Sequence, residues 1–338
     1  MERRKMSMNN RKISRRTFIR NASMAVAGGA LLSGCTSSAN KMATASKVKF
    51  YNPKEDGGCA VSFGYDVDMP AGGNEYLYDR TLPWQSKDSI DAHSHLNQDI
   101  RDYIEKLVTI AERYDAKQQF FIQGNTFEKP VDVEFWKTIA DRGHAIDSHM
   151  YNHDNMLDNP VDEVKSQLKK TKNLIETNLG TENLGVRSPG GYREGLDGRA
   201  DVQKAVLDAG LEWVSTRFDF TPGLTDSQWA AKVANEQPYF YETGLPEITV
   251  CGHIDRSYFD PDMYGDPAKT VDDWIAYLKL CVDIAYENNL FLALAVHPST
   301  SFKHDREAKY VTEIFEYCRE KPDIKLCTHQ DIYRWIKA

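Results

Sequence analysis

The chain has 338 residues, of which 41% are hydrophobic and 27% are charged, a composition that excludes an intrinsically disordered protein. Its net charge of −8 is unevenly spread: residues 1–34 hold eight basic residues and one acidic residue, whereas the remainder holds 34 basic and 49 acidic residues, a net −15. This acidic body excludes nucleic acid as the main partner, because a duplex-binding protein needs a basic face to displace counterions.

The first 34 residues have the order of an export signal, with a basic start, a short apolar stretch and then small residues. The apolar stretch, 22–32, is too short and too rich in Gly and Ala to span a membrane. Residues 14–20, Ser-Arg-Arg-Thr-Phe-Ile-Arg, resemble a twin-arginine signal, and Leu-Ser-Gly-Cys at 32–35 resembles a bacterial lipobox. The alternative is a disordered basic tail.

Together the two resemblances imply an exported lipoprotein of the bacterial cell envelope, periplasmic or on the outer surface. A lipid on Cys35 would hold it to the membrane. We therefore predict three parts: an export signal at 1–34, a flexible Ser/Thr/Ala-rich tether at 35–47, and one folded domain at 48–338.

The folded domain alternates short apolar strands with segments of helical periodicity. The sequence predicts strands at 59–63, 119–122, 144–147, 184–187, 213–216, 248–251, 290–296 and 324–327. It predicts helices at 96–114, 133–140, 161–179, 200–209, 271–286, 309–318 and 331–336. Regular alternation favours a parallel sheet, and this number of strands favours one α/β barrel over two separate domains.

Two of the predicted strands end in pairs of groups that suit a metal. Asp66 and Asp68 follow the first strand at positions i and i+2, where two ionised carboxylates repel unless a metal or a base neutralises one. His149 and His153 follow the third strand at positions i and i+4, a spacing that lets both imidazoles share one metal. Taken alone, the aspartate pair is also compatible with a solvated turn, and the histidine pair is also compatible with two histidines that bind no metal.

Two further predicted strands lead to Arg187 and His297, which are candidates for the same site. The alternative for Arg187 is an ordinary structural ion pair, and the alternative for His297 is a capped structural histidine. All four motifs fall at carboxyl ends of strands in one βα series, where a barrel builds its site. One carboxylate with two histidines is a metal set with open positions, and a base, an acid and an arginine complete a hydrolytic site. A competing pair, His93 and His95, follows no apolar strand; His304 and His329 have no pattern, and we expect them at the surface.

The order of these motifs resembles that of the polysaccharide deacetylases, the NodB-homology family (carbohydrate esterase family 4). The motifs are Gly-Tyr-Asp-Val-Asp at 64–68, Gly-His-Ala-Ile-Asp-Ser-His at 143–149, Arg-Ser-Pro-Gly at 187–190 and Ala-Leu-Ala-Val-His-Pro at 293–298. The resemblance implies a distorted (β/α)7 barrel in a single catalytic domain.

The resemblance also implies residue roles and one divalent metal ion, with zinc foremost and cobalt, manganese or nickel compatible. The implied metal ligands are Asp68, His149 and His153. The implied catalytic groups are Asp66 as base, His297 as acid and Arg187 as the residue that holds Asp66. The predicted substrate contacts are the backbone near Pro189 and Gly190, and Tyr65. Trp84, in the irregular segment 69–95, is predicted to stack on a sugar face; the alternative is that it packs this segment onto the barrel.

The sequence departs from the family pattern at two places. Met150 stands where the family has Ser or Thr, and the aspartate motif that orients the acid histidine has no clear match, Asp219 being a weak candidate. The expected activity is removal of acetyl groups from an N- or O-acetylated glycan, in preference a neutral one. The alternatives are a hydrolase of a cyclic imide or allantoin-like amide, and a non-catalytic glycan-binding lipoprotein.

Overall fold

The computed structural model describes residues 51–67, 96, 98–259 and 269–338. In this part of the chain nine strands form one sheet. They are β1 (Cys59–Val67), β2 (Gln119–Ile122), β3 (Ala145–Ser148), β4 (Gly185–Tyr192), β5 (Trp213–Arg217), β6 (Tyr239–Phe240), β7 (Pro246–Glu247), β8 (Phe291–Val296) and β9 (Ile324–Leu326). The described helices are α1 (Pro53–Asp56), α2 (Gln98–Arg113), α3 (Pro130–Asp141), α4 (Val161–Leu179), α5 (Ala200–Asp208), α6 (Asp226–Lys232), α7 (Asp255–Tyr258), α8 (Val271–Glu287), α9 (Pro298–His304), α10 (Lys309–Arg319) and α11 (His329–Lys337), with a 3₁₀ helix at Gly124–Glu128.

The sheet is a curled, incomplete barrel. Its strand order is β6-β7-β5-β4-β3-β2-β1-β8, β9 pairs with β1, and every pairing is parallel except that of β6 with β7. An irregular segment, 248–251, joins the two sides, because Ile248 N donates to Val214 O at 2.8 Å and Cys251 N donates to Ala293 O at 2.8 Å. The predicted distorted α/β barrel in a single domain is confirmed, but this segment replaces the strand predicted at 248–251.

Burial on both faces explains why the central strands are so apolar. Every residue of β1 is buried, and in β8 only Phe291 is partly exposed. Helices cover the outer face with amphipathic stripes; in α2 the buried Ile100, Ile104, Leu107 and Ala111 recur at helical spacing. The geometry therefore places the carboxyl ends of the strands at one rim, above a continuous core.

Apart from the strand predicted at 248–251, the predicted helices and strands are present with small changes of boundary. The sequence missed four short helices, α1, α6, α7 and α9, because four to seven residues are too few to show a helical period. It also missed the extension of β4 to Tyr192, which follows an irregular register between Arg187 and Tyr192.

Residues 49–338 form one compact unit. None of the helices in the described ranges is long and apolar enough to cross a membrane. All five cysteines of those ranges are buried free thiols. The predicted export signal and tether, with Cys35, lie outside the described residues.

Candidate active site

The rim brings together groups from four strands that are distant in sequence. Asp66 lies one residue before the end of β1, His149 follows β3, Arg187 lies in β4 and His297 follows β8. All four line one cavity of about 510 Å³, together with His153. The cavity therefore unites five of the six metal-binding and catalytic residues that the sequence singled out; the sixth, Asp68, lies outside the described residues.

The residues predicted to contact substrate differ in their position relative to the cavity. Pro189 and Gly190 line the cavity, as predicted. Tyr65 does not, because side chains alternate along β1 and its ring faces the core, fully buried against Phe120 at a centroid distance of 5.3 Å. The predicted contact of Tyr65 with substrate is therefore wrong. Trp84 and the competing pair His93 and His95 lie outside the described residues.

A buried ion pair occupies the floor of the cavity. The Nε atom of Arg187 lies 3.5 Å from Oδ1 of Asp66, and the two residues are 2% and 7% exposed. The guanidinium also lies 4.4 Å above the ring of Phe121. Burial lowers the pKa of Arg187 from its ordinary value, whereas the charge of Asp66 opposes that shift. The arginine stands beside the carboxylate that the sequence predicted it to hold.

The backbone of Arg187 fixes the orientation of His149. Nδ1 of His149 lies 2.9 Å from the carbonyl oxygen of Arg187, and because a carbonyl only accepts, Nδ1 carries the proton. Nε2 is then the nitrogen with the lone pair, as a metal-ligating imidazole requires. The ring of His153 meets it edge-on, with a centroid distance of 4.8 Å.

The loop between the two histidines is held in an unusual conformation. Met150 and His153 have φ angles of 61° and 62°, in the left-handed region that side-chain-bearing residues seldom adopt. Met150 is fully buried in a second apolar cluster with Met156 and Val164. Apolar packing thus surrounds Met150, the position at which the sequence departs from the predicted motif, and both histidines still line the cavity.

The sequence missed the residue that orients His297. Asp255, fully buried at the start of α7, accepts from Nδ1 of His297 at 2.7 Å and from its backbone N at 2.8 Å. Asp219 instead pairs with Arg193 and Lys232, so it is not the orienting residue. Asp255 follows the segment 248–251, and the strand-end argument applied to that segment points to it.

His329 is likewise not at the surface. It is fully buried, and its Nε2 lies 2.8 Å from Nη2 of Arg187. His304 is half-buried, with its ring stacked on Phe259 at 4.4 Å. The expected surface position of His329 fails because α11 packs against β1, and no short motif records that contact. His304 is instead partly covered by Phe259.

The described residues offer two imidazole donors for a metal, His149 and His153. No group of three His, Cys, Asp or Glu side chains that could hold a metal occurs within the described ranges. The third predicted ligand, Asp68, lies outside the described residues, immediately after the range 51–67. The oriented Nε2 of His149 fits a metal ligand, so the donor set agrees with a metal site as far as it is described.

A second buried carboxyl group supports the segment that carries Asp255. Oε2 of Glu236 accepts from the backbone N of Gly252 at 2.6 Å. Gly252 has a φ of 71°, and a Cβ there would lie 2.3 Å from the hydroxyl of Tyr277. Burial raises the pKa of Glu236 to about 7, against the lowering effects of the Gly252 N–H and of Lys232.

With this geometry known, comparison with other proteins is informative. Residues 90–214 match the family model described as polysaccharide deacetylase. The chain is 32% identical over 144 residues to uncharacterized protein YlxY of Bacillus subtilis, which is 40% of this chain and 42% of that protein. It is 29% identical over 90 residues to a peptidoglycan-N-acetylglucosamine deacetylase of Bacillus cereus, 27% of this chain and 32% of that protein. The matches thus span less than half the length of these relatives.

Solved structures share the fold. A "putative polysaccharide deacetylase" from Mycobacterium smegmatis superposes with a TM-score of 0.61 at 21% identity, covering 86% of this chain and 94% of that one. Puue allantoinase superposes with a TM-score of 0.59 at 15% identity, covering 85% and 94%. The family model over residues 90–214 supports a polysaccharide deacetylase domain in that part of the chain, and these neighbours show that the chain shares their fold.

The raised pKa of Glu236 predicts a pH-dependent stability. Below its ordinary value of 4.5 the carboxyl is protonated in both folded and unfolded states. Between that value and about 7 only the folded state keeps the proton, so the stabilisation is lost as pH rises through this window. We expect the Tm of Glu236→Gln, which cannot ionise, to increase relative to that of the wild type from pH 5, where the folded wild type is still protonated, to pH 8, above the window.

Thermal unfolding monitored by circular dichroism at the two pH values measures this gain. Glu242→Gln is the matched control, since Glu242 lies nearby and is exposed. A Tm difference between Glu236→Gln and wild type that stays constant with pH contradicts the prediction.

Proposed function

We propose that the protein is a metal-dependent hydrolase that removes acetyl groups from an N- or O-acetylated glycan at the bacterial cell envelope. The carrying observation is that one cavity holds a carboxylate beside a buried arginine and a histidine oriented by a buried aspartate. The first environment suits a general base, and the second suits a general acid. The family model over residues 90–214 supports an acetylated substrate.

The base and the acid divide the proton transfers between them. An amide or ester carbonyl reacts slowly with neutral water, so a base must remove a proton from the attacking water. Asp66 takes that role, since the positive charge of Arg187 stabilises its ionised form. His297, with Nδ1 committed to Asp255, donates a proton from Nε2 to the leaving amine or alkoxide. Each transfer is worth roughly 10²–10⁴-fold in rate.

Two further features of the site belong to the proposal. Gly190 lines the cavity with a φ of 86°, and we assign its backbone N–H to the developing oxyanion, because Pro189 has none. His149, His153 and Asp68 would hold one divalent ion, zinc foremost, with cobalt, manganese or nickel compatible. When bound, such an ion lowers the pKa of water and polarises the carbonyl.

A second candidate function is hydrolysis of a small cyclic imide or allantoin-like amide. The cavity of about 510 Å³ is of a size that holds a small molecule, and the chain shares the fold of Puue allantoinase. The proposed location at the cell envelope favours a glycan substrate instead, because an exported protein is poorly placed for the breakdown of small molecules inside the cell. The third possibility, glycan binding without catalysis, is disfavoured, because a binding protein needs no buried base and acid pairs.

The substrate class is tested by acetate release from chitooligomers, peptidoglycan and acetylxylan, with cyclic imides and allantoin assayed in parallel. We expect acetate from at least one glycan and loss of turnover after chelation. We expect His149→Ala to lose bound metal and activity together. Asp66→Asn should retain metal and lose activity by at least about 10²-fold, because the base is absent but the predicted ligands remain.

Metal content by mass spectrometry, measured on the same preparations, separates the two variants. Near-normal turnover by Asp66→Asn contradicts its assignment as the base. Imide hydrolysis without acetate release reverses the order of the two candidate functions, and no hydrolysis of any kind favours the binding protein.

Asp255→Asn tests the acid. The amide can present a donor where the carboxylate accepts from Nδ1 of His297, which disturbs the imidazole tautomer. We expect kcat to fall by on the order of 10²-fold or more, with little change in KM. Asp219→Asn, which alters the candidate that the structure excludes, should retain kcat. Equal effects of the two variants on kcat contradict the role of Asp255.

The envelope location is proposed from the N-terminal motifs. We expect Cys35→Ala to shift the protein from the membrane fraction to the soluble fraction in a bacterial host, since one acylated residue supplies the anchor. Fractionation followed by immunoblotting checks this. An unchanged membrane fraction contradicts the lipid anchor.

A further inference from the structure

A buried histidine lies behind the proposed base, on the other side of Arg187. His329 begins α11 and is fully buried; its Nε2 lies 2.8 Å from Nη2 of Arg187, and its Nδ1 lies 2.7 Å from Oγ of Ser62. A guanidinium only donates hydrogen bonds, so Nε2 accepts and the ring is neutral with its proton on Nδ1. Nδ1 then donates to Ser62. Burial and the charge of Arg187 both lower the pKa of His329 well below its ordinary value, in agreement with a neutral ring.

The surroundings leave this pair little freedom. The ring of His329 meets Phe121 edge-on at 5.5 Å and is nearly parallel to Trp213 at 6.3 Å. A Cβ at Gly64 would lie 2.8 Å from both Nη2 of Arg187 and Cε1 of His329. The strand β1 therefore approaches so closely that only glycine fits, and the guanidinium and the imidazole are confined together.

The charge of the acceptor matters for the base. A second carboxylate in place of His329 would compete with Asp66 for the charge of Arg187. A neutral acceptor satisfies one guanidinium donor and leaves that charge to Asp66. Without any acceptor, Nη2 of Arg187 would be a buried donor with no hydrogen-bond partner, and packing alone would set the orientation of the guanidinium.

We propose that His329 is a positioning residue: by accepting a hydrogen bond from Arg187 without carrying charge, it holds the guanidinium with its Nε edge toward Asp66. This inference rests on the proposed hydrolase function. His329 does not contact the cavity and does not transfer protons; it acts through Arg187.

Two variants of His329 and one control test the role. His329→Leu removes the acceptor, and we expect kcat to fall on the order of tenfold to a hundredfold through misplacement of Arg187, with little change in KM. His329→Gln restores a neutral acceptor and should recover most of this loss. Ile332→Ala removes fully buried apolar contacts from the same helix, and should lower Tm but retain kcat.

A double-mutant cycle separates positioning from general destabilisation. In an Arg187→Lys background the guanidinium is absent, so His329→Leu should cost no more than about threefold further in kcat. The same loss in both backgrounds, or a kcat of His329→Leu within about threefold of wild type, overturns the proposal.

A spectroscopic measurement keeps the proposal testable if a variant fails to fold. In the wild-type protein, ¹⁵N–¹H correlation of the His329 ring should show a neutral Nδ1–H tautomer from about pH 5 to 8. An Nε2–H tautomer or an imidazolium overturns the proposal. If the wild type hydrolyses no substrate, the proposed function fails, and this spectrum alone decides whether His329 accepts from Arg187.

Discussion

The site depends on one buried positive charge, the guanidinium of Arg187. Taking an arginine out of water is strongly unfavourable unless its donors and its charge are met, and removing one partner of a buried pair typically costs about 3–5 kcal/mol. Here Asp66 meets the charge, His329 accepts from Nη2 and Phe121 lies beneath the plane. The same residue's carbonyl orients His149. One residue therefore links the proposed base with the proposed metal ligand.

A second buried pair at the cavity has the reverse arrangement of charge. There a buried carboxylate, Asp255, holds an imidazole, His297. A permanent cation beside a carboxylate suits a proton acceptor, and a carboxylate beside an imidazole suits a proton donor, so the two environments assign the two roles. The irregular segment 248–251 makes this possible: it joins both sides of the sheet and delivers Asp255 to the site, with Glu236 bound to its backbone.

Sequence periodicity predicted the barrel and the convergence of its strand ends, because parallel strands must present their carboxyl ends at one rim. It missed Asp255, although the strand predicted at 248–251 ends just before that residue and the strand-end argument points to it. It could not place His329, because that residue meets Arg187 across 142 positions and no local pattern encodes the contact. The sequence itself argues against Tyr65 as a substrate contact, because side chains alternate along β1 and Tyr65 therefore faces the other side of the sheet from its neighbour Asp66.

The central claim is that this rim is a metal-dependent hydrolytic site built around Arg187. Anomalous diffraction at the absorption edge of the bound metal, from crystals of the metal-loaded full chain, tests it most directly. The account predicts one strong peak at about 2.0–2.1 Å from Nε2 of His149, shared with His153 and Asp68. A peak elsewhere in the molecule, or one bound through Nδ1 of His149, would contradict it.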